Sequence, residues 1–251
     1  MTFLGVGDAT DPAGATTSVL YQGERTLLVD CGPAIACTAM RALVDPNALD
    51  AVWITHQHAD HCFGLPTLLL TLRLANRKKP LDVLGGPGIA AAMSALIELG
   101  YPGAFAADRC YPIRFMEVSP DRVMDWQGLQ LATAQTQHSL PCYALRIDDD
   151  QHRVCISGDG KVTEATLGLY RDADLVIHEC QFAERERWDH SRVADLPVLF
   201  TEARTRQLAL AHCSIRERQA IADKARTLLG SRAFMPETGD IFRFASASSE
   251  G

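Results

Sequence analysis

Apolar and polar positions alternate along this chain in short runs that stop at glycine, proline or aspartate. The runs Ser18-Val19-Leu20-Tyr21 and Thr26-Leu27-Leu28-Val29-Asp30 bracket Gln22-Gly23-Glu24-Arg25, which predicts a hairpin. Further strands are predicted at residues 3–7, 51–55, 81–84, 129–135, 143–147, 153–157, 175–178, 207–211 and 241–244. Helical spacing is predicted after Pro33 to about residue 43, and at residues 64–75, 89–99, 163–170, 197–204 and 216–229. The stretch 101–120, with Pro102, Pro112 and several aromatics, reads as irregular: a pocket wall or lid, or a plain surface loop. Strands at both ends with helices between them suggest two mixed sheets packed face to face under helices.

Composition narrows the class. A chain of 251 residues with 47% hydrophobic and 22% charged content fits one well-buried domain, expected to span 1–251. No apolar run is long enough to span a bilayer, so no membrane partner is expected. The start, Met1-Thr2-Phe3-Leu4-Gly5, lacks the basic and apolar regions of a signal peptide, which points to a cytoplasmic location. The eight cysteines form no CxxC pair and read as reduced thiols; Cys62, Cys142, Cys180 and Cys213 read as small apolar filler beside a pocket. The net charge is -7, and the only basic patch, Arg73 with Arg77-Lys78-Lys79, reads as a solvated helix end. Nucleic acid is therefore not the expected main partner.

The chemistry is concentrated after strand 51–55. Thr55-His56-Gln57-His58-Ala59-Asp60-His61-Cys62 places three histidines and an aspartate within six residues. Imidazole nitrogens and carboxylate oxygens are ligands that Zn²⁺, Fe²⁺ and Mn²⁺ accept. A strand running into a loop can aim alternate side chains, His56 and His58, at one point. Asp60 and His61, expected in a turn, can face a second point nearby. Three more candidates stand at strand ends: His138 before Ser139-Leu140-Pro141, Asp159 in Ser157-Gly158-Asp159-Gly160, and His212 after 207–211. Together they supply seven donors, the number two metals sharing one carboxylate need.

This order of residues resembles the metallo-β-lactamase superfamily over nearly the whole chain, and within it ribonuclease Z and its relatives. Phe3-Leu4-Gly5-Val6-Gly7, Phe63-Gly64-Leu65-Pro66, Ser157-Gly158-Asp159, Ile177-His178-Glu179, His190-Ser191 and Ala211-His212-Cys213-Ser214 carry the resemblance. It implies an α/β fold, a four-layer αββα sandwich with the metal site at one edge. It implies two divalent ions, expected as Zn with Mn or Fe as alternatives. His56, His58 and His138 would hold one, Asp60, His61 and His212 the other, and Asp159 would bridge them. Superfamily β-lactamases often place a cysteine at the bridging position, so an aspartate there points away from antibiotic hydrolysis. His190 would act near the leaving group, oriented by Glu179, and Asp60 belongs to the same catalytic set.

The activity implied is that of a dinuclear metallohydrolase that cleaves a phosphodiester or related small anionic ester through a metal-bridging hydroxide. Ribonuclease Z enzymes that process tRNA carry a long arm between the third histidine and the bridging aspartate. Here His138 and Asp159 are 21 residues apart, a gap filled by two strands and a turn. A small phosphodiester such as a cyclic nucleotide, or an aryl sulfate, is therefore the favoured substrate. The alternatives are a ribonuclease Z-type tRNA 3'-processing endonuclease, a thioesterase- or lactonase-type hydrolase, and a non-catalytic binding protein on the same scaffold. A homodimer is kept open.

Overall fold

The computed structural model describes residues 1–244 except 14, 44, 107–109 and 121. The first half of the chain forms β1 (Thr2–Gly5), β2 (Ser18–Gln22), β3 (Thr26–Val29), α1 (Ile35–Ala42), β4 (Ala51–Ile54), α2 (Ala59–Cys62), α3 (Leu65–Leu74), β5 (Leu81–Gly85), α4 (Ile89–Gly100) and β6 (Ile113–Glu117). The second half forms β7 (Met124–Trp126), β8 (Leu129–Gln135), β9 (Tyr143–Asp148), β10 (Arg153–Ile156), α5 (Glu164–Tyr170), β11 (Leu175–Glu179), α6 (Val198–Thr201), β12 (Gln207–Ala211), α7 (Arg218–Leu228) and β13 (Ala233–Phe234). Strands β1 to β6 lie in sequence order in a six-stranded sheet, and β7 to β13 do the same in a seven-stranded one.

The period-2 pattern decides the layering. In β2 and β3, Val19, Tyr21, Leu27 and Val29 face the core between the sheets, while Leu20 and Leu28 face a second core under α1, α3 and α4. In β11, Leu175 and Ile177 face the shared core, and Val176 packs with Leu169 and Tyr170 of α5 and Ile221 and Ala225 of α7 in a third. The result is the expected four-layer αββα sandwich.

The sheets are mixed in a way that gathers chemistry at one edge. β3 to β6 run parallel, as do β10 to β13; β8 and β9 join the second sheet antiparallel, so β8 runs the same way as β10. The carboxyl ends of β3, β4, β8, β10, β11 and β12 therefore share an edge. The two sheets meet there, where Tyr143 N–H donates to the Thr55 carbonyl at 3.0 Å.

Four local expectations are corrected. Asp60 and His61 sit in a one-turn helix, α2, because the His58 carbonyl accepts from the N–H groups of His61 and Cys62. The 101–120 stretch is not wholly irregular, since residues 113–117 form edge strand β6, tied by Arg114 to Asp82. Strand β7 was not anticipated; it is three residues long, and it turns into β8 through Gln127 and Gly128, both at positive φ, as a tight hairpin requires. Residues 241–244 do not form a strand of their own. The backbone around Gly239–Phe242 instead hydrogen-bonds along β1, and Ile241 bridges Thr2, which covers a sheet edge that would otherwise be open.

The basic patch is corrected at one member. Arg77 is buried and donates to the carbonyls of Pro46, Leu49 and Pro80 at 2.5, 2.7 and 2.6 Å. Lys79 pairs with Asp50, and Arg73 donates to the Ala104 carbonyl. Arg77 is thus an interior cation that holds loops together, while Lys78 and Lys79 stay exposed as expected.

Candidate metal centre

The histidine motif begins where β4 ends. Asp30, at the end of neighbouring β3 and at positive φ, accepts from the Thr55 N–H at 2.8 Å and the Thr55 hydroxyl at 2.9 Å. The Thr55 hydroxyl oxygen lies 3.0 Å from His56 Nδ1, and His61 Nδ1 lies 2.7 Å from the same Asp30 carboxylate. Each contact requires the Nδ1 proton, so both rings are fixed in the tautomer that leaves Nε2 with a lone pair. His138 is set in the same way, with Nδ1 2.9 Å from the Asp189 carbonyl.

Asp159 follows β10 in a loop that only glycine can build. Gly158 and Gly160 have φ of +65° and +116°, and a Cβ at Gly158 would meet Cys142 Sγ at 2.7 Å and Thr55 Cβ at 2.8 Å. The loop is clamped by Glu179 at the end of β11, whose Oε1 accepts from the N–H groups of Gly160 and Ser191 at 2.9 and 3.0 Å. His190 Nδ1 lies 3.1 Å from that oxygen. His212 follows β12 at positive φ, which turns its ring back toward the edge.

The predicted donors converge in two groups. In one, His58 Nδ1 lies 2.9 Å from His56 Nε2 and 3.1 Å from His138 Nε2, and Asp159 Oδ2 lies 3.7 and 3.9 Å from the latter two. In the other, His61 Nε2 lies 3.3 Å from Asp60 Oδ2 and 3.3 Å from Asp159 Oδ1, and His212 Nδ1 lies 3.3 Å from Asp159 Oδ1. Within each group the donor atoms lie within 4.8 Å of one another. Asp159 belongs to both, with one oxygen toward each. All seven predicted donors are thus brought together, and His190 stands beside them, its ring 5.0 Å from that of His138 and stacked 5.7 Å from that of His212.

The arrangement fits cations. His61 Nε2, Asp159 Oδ1 and His212 Nδ1 are buried with no hydrogen-bond partner, a costly state for polar atoms unless an ion satisfies them. Three ring nitrogens crowd the first group, two of them held as lone-pair acceptors by their own second contacts. Burial, together with the neighbouring His61, drives the His56 pKa well below its ordinary value, so this ring is a neutral donor. Burial alone would raise the Asp159 pKa, but His212 and His61 outweigh it and hold the carboxyl well below the usual range. Burial pushes the Cys62, Cys142 and Cys213 thiols up to about 12, so they remain protonated filler.

Outside the metal donors, His190 Nδ1 lies 3.1 Å from Glu179 Oε1. Burial pulls the His190 pKa down, but the Glu179 hydrogen bond and charge win and hold it above the ordinary value. His178 of the same motif is buried on the opposite face of β11, against Tyr170, with Nδ1 2.8 Å from the Glu179 carbonyl. Asp30, Thr55 and Asp189, which orient the rings, escaped sequence reasoning. The one available signal was an aspartate closing an apolar strand before Cys31-Gly32.

Fold and site together define a metal-dependent hydrolase of the metallo-β-lactamase fold, with ribonuclease Z among its relatives. A family profile described as Anti-Pycsar protein Apyc1 matches residues 1–232, and the chain belongs to that family. Ribonuclease Z of Methanosarcina acetivorans is 28% identical, the match covering 86% of this chain and 88% of that protein. The metallo-beta-lactamase fold protein YhfI from Bacillus subtilis superposes with a TM-score of 0.77 at 22% identity, covering 95% of this chain and 96% of that one. Human tRNase Z, short form, gives 0.73 at 25% identity, covering 86% and 93%. Among the described residues no helix is long and apolar enough to cross a membrane.

Proposed function

We propose that the chain, as one domain, is a dinuclear phosphodiesterase acting on small anionic esters, with His56, His58 and His138 holding one divalent ion, Asp60, His61 and His212 the other, and Asp159 between them. The observation that carries this reading is the split of one buried carboxylate, with Oδ2 toward the first histidine group and Oδ1 toward the second. All-imidazole and carboxylate ligation suits Zn²⁺, with Mn²⁺ or Fe²⁺ as alternatives. Two such ions, when bound, lower the pKa of a shared water from about 15.7 to about 7 and so supply a nucleophile at neutral pH.

The chain's own residues do the rest. Asp30, Thr55 and the Asp189 carbonyl fix the histidine tautomers, so no reorganisation is needed as charge develops. Glu179 holds His190 with Nδ1–H engaged, leaving Nε2 to carry the proton that goes to the departing oxygen, an acid contribution of roughly 10²–10⁴-fold. Glu179 also fixes the Asp159 loop through Gly160 N–H, which keeps acid and bridge in register.

The substrate class follows from charge. Besides Asp60 and Asp159, two carboxylates adjoin the site from behind its rings: Asp30 lies 2.7 Å from His61 Nδ1, and Glu179 lies 3.1 Å from His190 Nδ1. Asp189, beside His190, is paired with Arg187 at 2.9 and 3.0 Å. Two divalent ions against the two carboxylates that would touch them, with Asp30 and Glu179 held behind imidazole rings, would leave a positive field for a phosphate or sulfate ester. Arg77, within the basic run, is interior, and His138 is joined to Asp159 by no arm, which favours a small diester over tRNA. The protein, loaded with Mn²⁺ or Zn²⁺, is to be assayed on bis(p-nitrophenyl) phosphate, p-nitrophenyl sulfate, an acyl thioester and pre-tRNA. Turnover of the phosphodiester supports the reading; thioester hydrolysis without phosphodiester turnover contradicts it, and selective pre-tRNA cleavage replaces it with a ribonuclease Z activity.

A further inference from the structure

Asp159 stands between two glycines at positive φ, Gly158 and Gly160, in a loop whose own backbone resists displacement weakly. Thr136 meets it from outside that loop. Thr136 is buried, and its hydroxyl donates to the Asp159 carbonyl at 2.5 Å. The same hydroxyl oxygen lies 3.4 Å from the Cys142 carbonyl, too far to compete for its one proton. The approach needs glycine at position 160, because an added Cβ there would meet Thr136 Oγ1 at 2.7 Å.

Thr136 also belongs to the loop that carries His138. It follows β8, and its N–H donates to the Cys142 carbonyl at 3.0 Å, which closes the turn around His138. One residue on, Gln137 N–H donates to the Lys161 carbonyl at 3.2 Å, and Lys161 N–H donates back to the Gln137 carbonyl at 3.0 Å. The two loops are thus stitched at Thr136–Asp159 and at Gln137–Lys161. Across the first histidine group, His138 Nε2 and Asp159 Oδ2 lie 3.9 Å apart. The second group is set from elsewhere, His61 by Asp30 and His212 by the turn after β12.

We infer that Thr136 is a positioning residue for the ion held by His56, His58 and His138: its hydroxyl fixes the separation of His138 from Asp159 and thereby the affinity for that ion relative to the other. This rests on the two-ion reading above. A relative shift of the two loops moves two of the four donors of the first group against each other, but only Asp159 among the four donors of the second. Valine has the shape of threonine and forces such a shift. A methyl–oxygen contact sits at about 3.3–3.6 Å, so the 2.5 Å contact must open by roughly 1 Å. Metal sites need their donors held to about 0.5 Å.

Zn²⁺ affinity of the folded protein, read by competition with a chelating dye, tests the inference. T136V should weaken one ion about 10- to 100-fold, the usual cost of losing an outer contact, and leave the other the tighter of the two. The weakened ion should be the one that H138A removes and H212A retains. T136S keeps the donor and should restore wild-type affinity, while T136A, which leaves a gap where valine pushes, should weaken the same ion by less. Lower resistance to urea in T136V with both affinities unchanged would make the hydroxyl purely structural and overturn the inference. Equal weakening of both ions overturns it too, as does a loss in T136S as great as in T136V. If T136V does not fold, T136A against T136S decides on the same criteria. A single ion in the wild-type protein counts against the two-ion reading; the inference then stands if T136V still weakens an ion that requires His138, and falls if it does not.

Discussion

His61 Nδ1 lies 2.7 Å from Asp30 Oδ2, and that same oxygen accepts from the Thr55 hydroxyl at 2.9 Å, which in turn meets His56 Nδ1 at 3.0 Å. One buried carboxylate thereby orients a donor of each metal group. Replacing it with an amide keeps the shape but offers His61 an N–H where it needs an acceptor. D30N should weaken metal binding about 10- to 100-fold at both positions, the usual cost of losing such an outer contact. Competition with a chelating dye measures this, and unchanged affinity would refute the orienting role.

In the proposed reaction the His190–Glu179 pair would set the alkaline side of the pH profile. The folded-state pKa of His190 is raised, because Glu179 outweighs burial. As the acid, His190 must be protonated, so activity is present below that pKa and lost as pH rises through it. The alkaline limb of kcat assigned to this group should therefore lie above the ordinary histidine value, and E179Q should move it to lower pH. H190A should lower kcat by roughly 10²–10⁴-fold on a poor leaving group. A limb that stays in place in E179Q would contradict the assignment.

The bridge loop depends on backbone freedom. Gly158 has φ of +65°, and an added Cβ would lie 2.7 Å from Cys142 Sγ and 2.8 Å from Thr55 Cβ. G158A should cost about 2–4 kcal/mol, from left-handed backbone strain plus overpacking. Because Thr55 carries His56, the same change should also displace the donors and reduce metal content. Chemical denaturation and elemental analysis of the variant check the two effects separately.

Arg77 yields the opposite pattern. Its guanidinium holds three carbonyls, of Pro46, Leu49 and Pro80, and faces the Tyr111 ring. R77A should destabilise the protein by about 2–4 kcal/mol, because buried carbonyls lose charge-assisted partners. It should leave kcat/KM on a small diester within about twofold. A specific loss of activity or of RNA binding at full stability would restore the basic patch as a functional surface.

Much of the site was legible because its donors are local or stand at strand ends. His56, His58, Asp60 and His61 share one stretch, and His138, Asp159 and His212 each close a strand that periodicity identifies. Asp30 was not legible, because an aspartate after Val29 looks like any turn residue. Its role exists only because β3 and β4 pair in parallel and bring residues 30 and 55 side by side. Strand β7 was lost because three residues carry too little periodicity, although the Gln127-Gly128 pair marked its turn. Residues 241–244 have a strand-like composition, yet their neighbourhood pairs with β1 through only scattered bonds, while Ala233–Phe234 takes the place beside β12. Arg77 misled for a different reason: charge runs read as solvated unless long-range packing supplies the carbonyls that bury one of them.

The central claim is a two-ion centre bridged by Asp159. Metal content per chain, measured by inductively coupled plasma mass spectrometry after reconstitution and desalting, tests it most directly. Two divalent ions per chain in the wild type, falling to one or fewer in D159A, is the predicted result. A single ion in the wild type, or two retained in D159A, would contradict it.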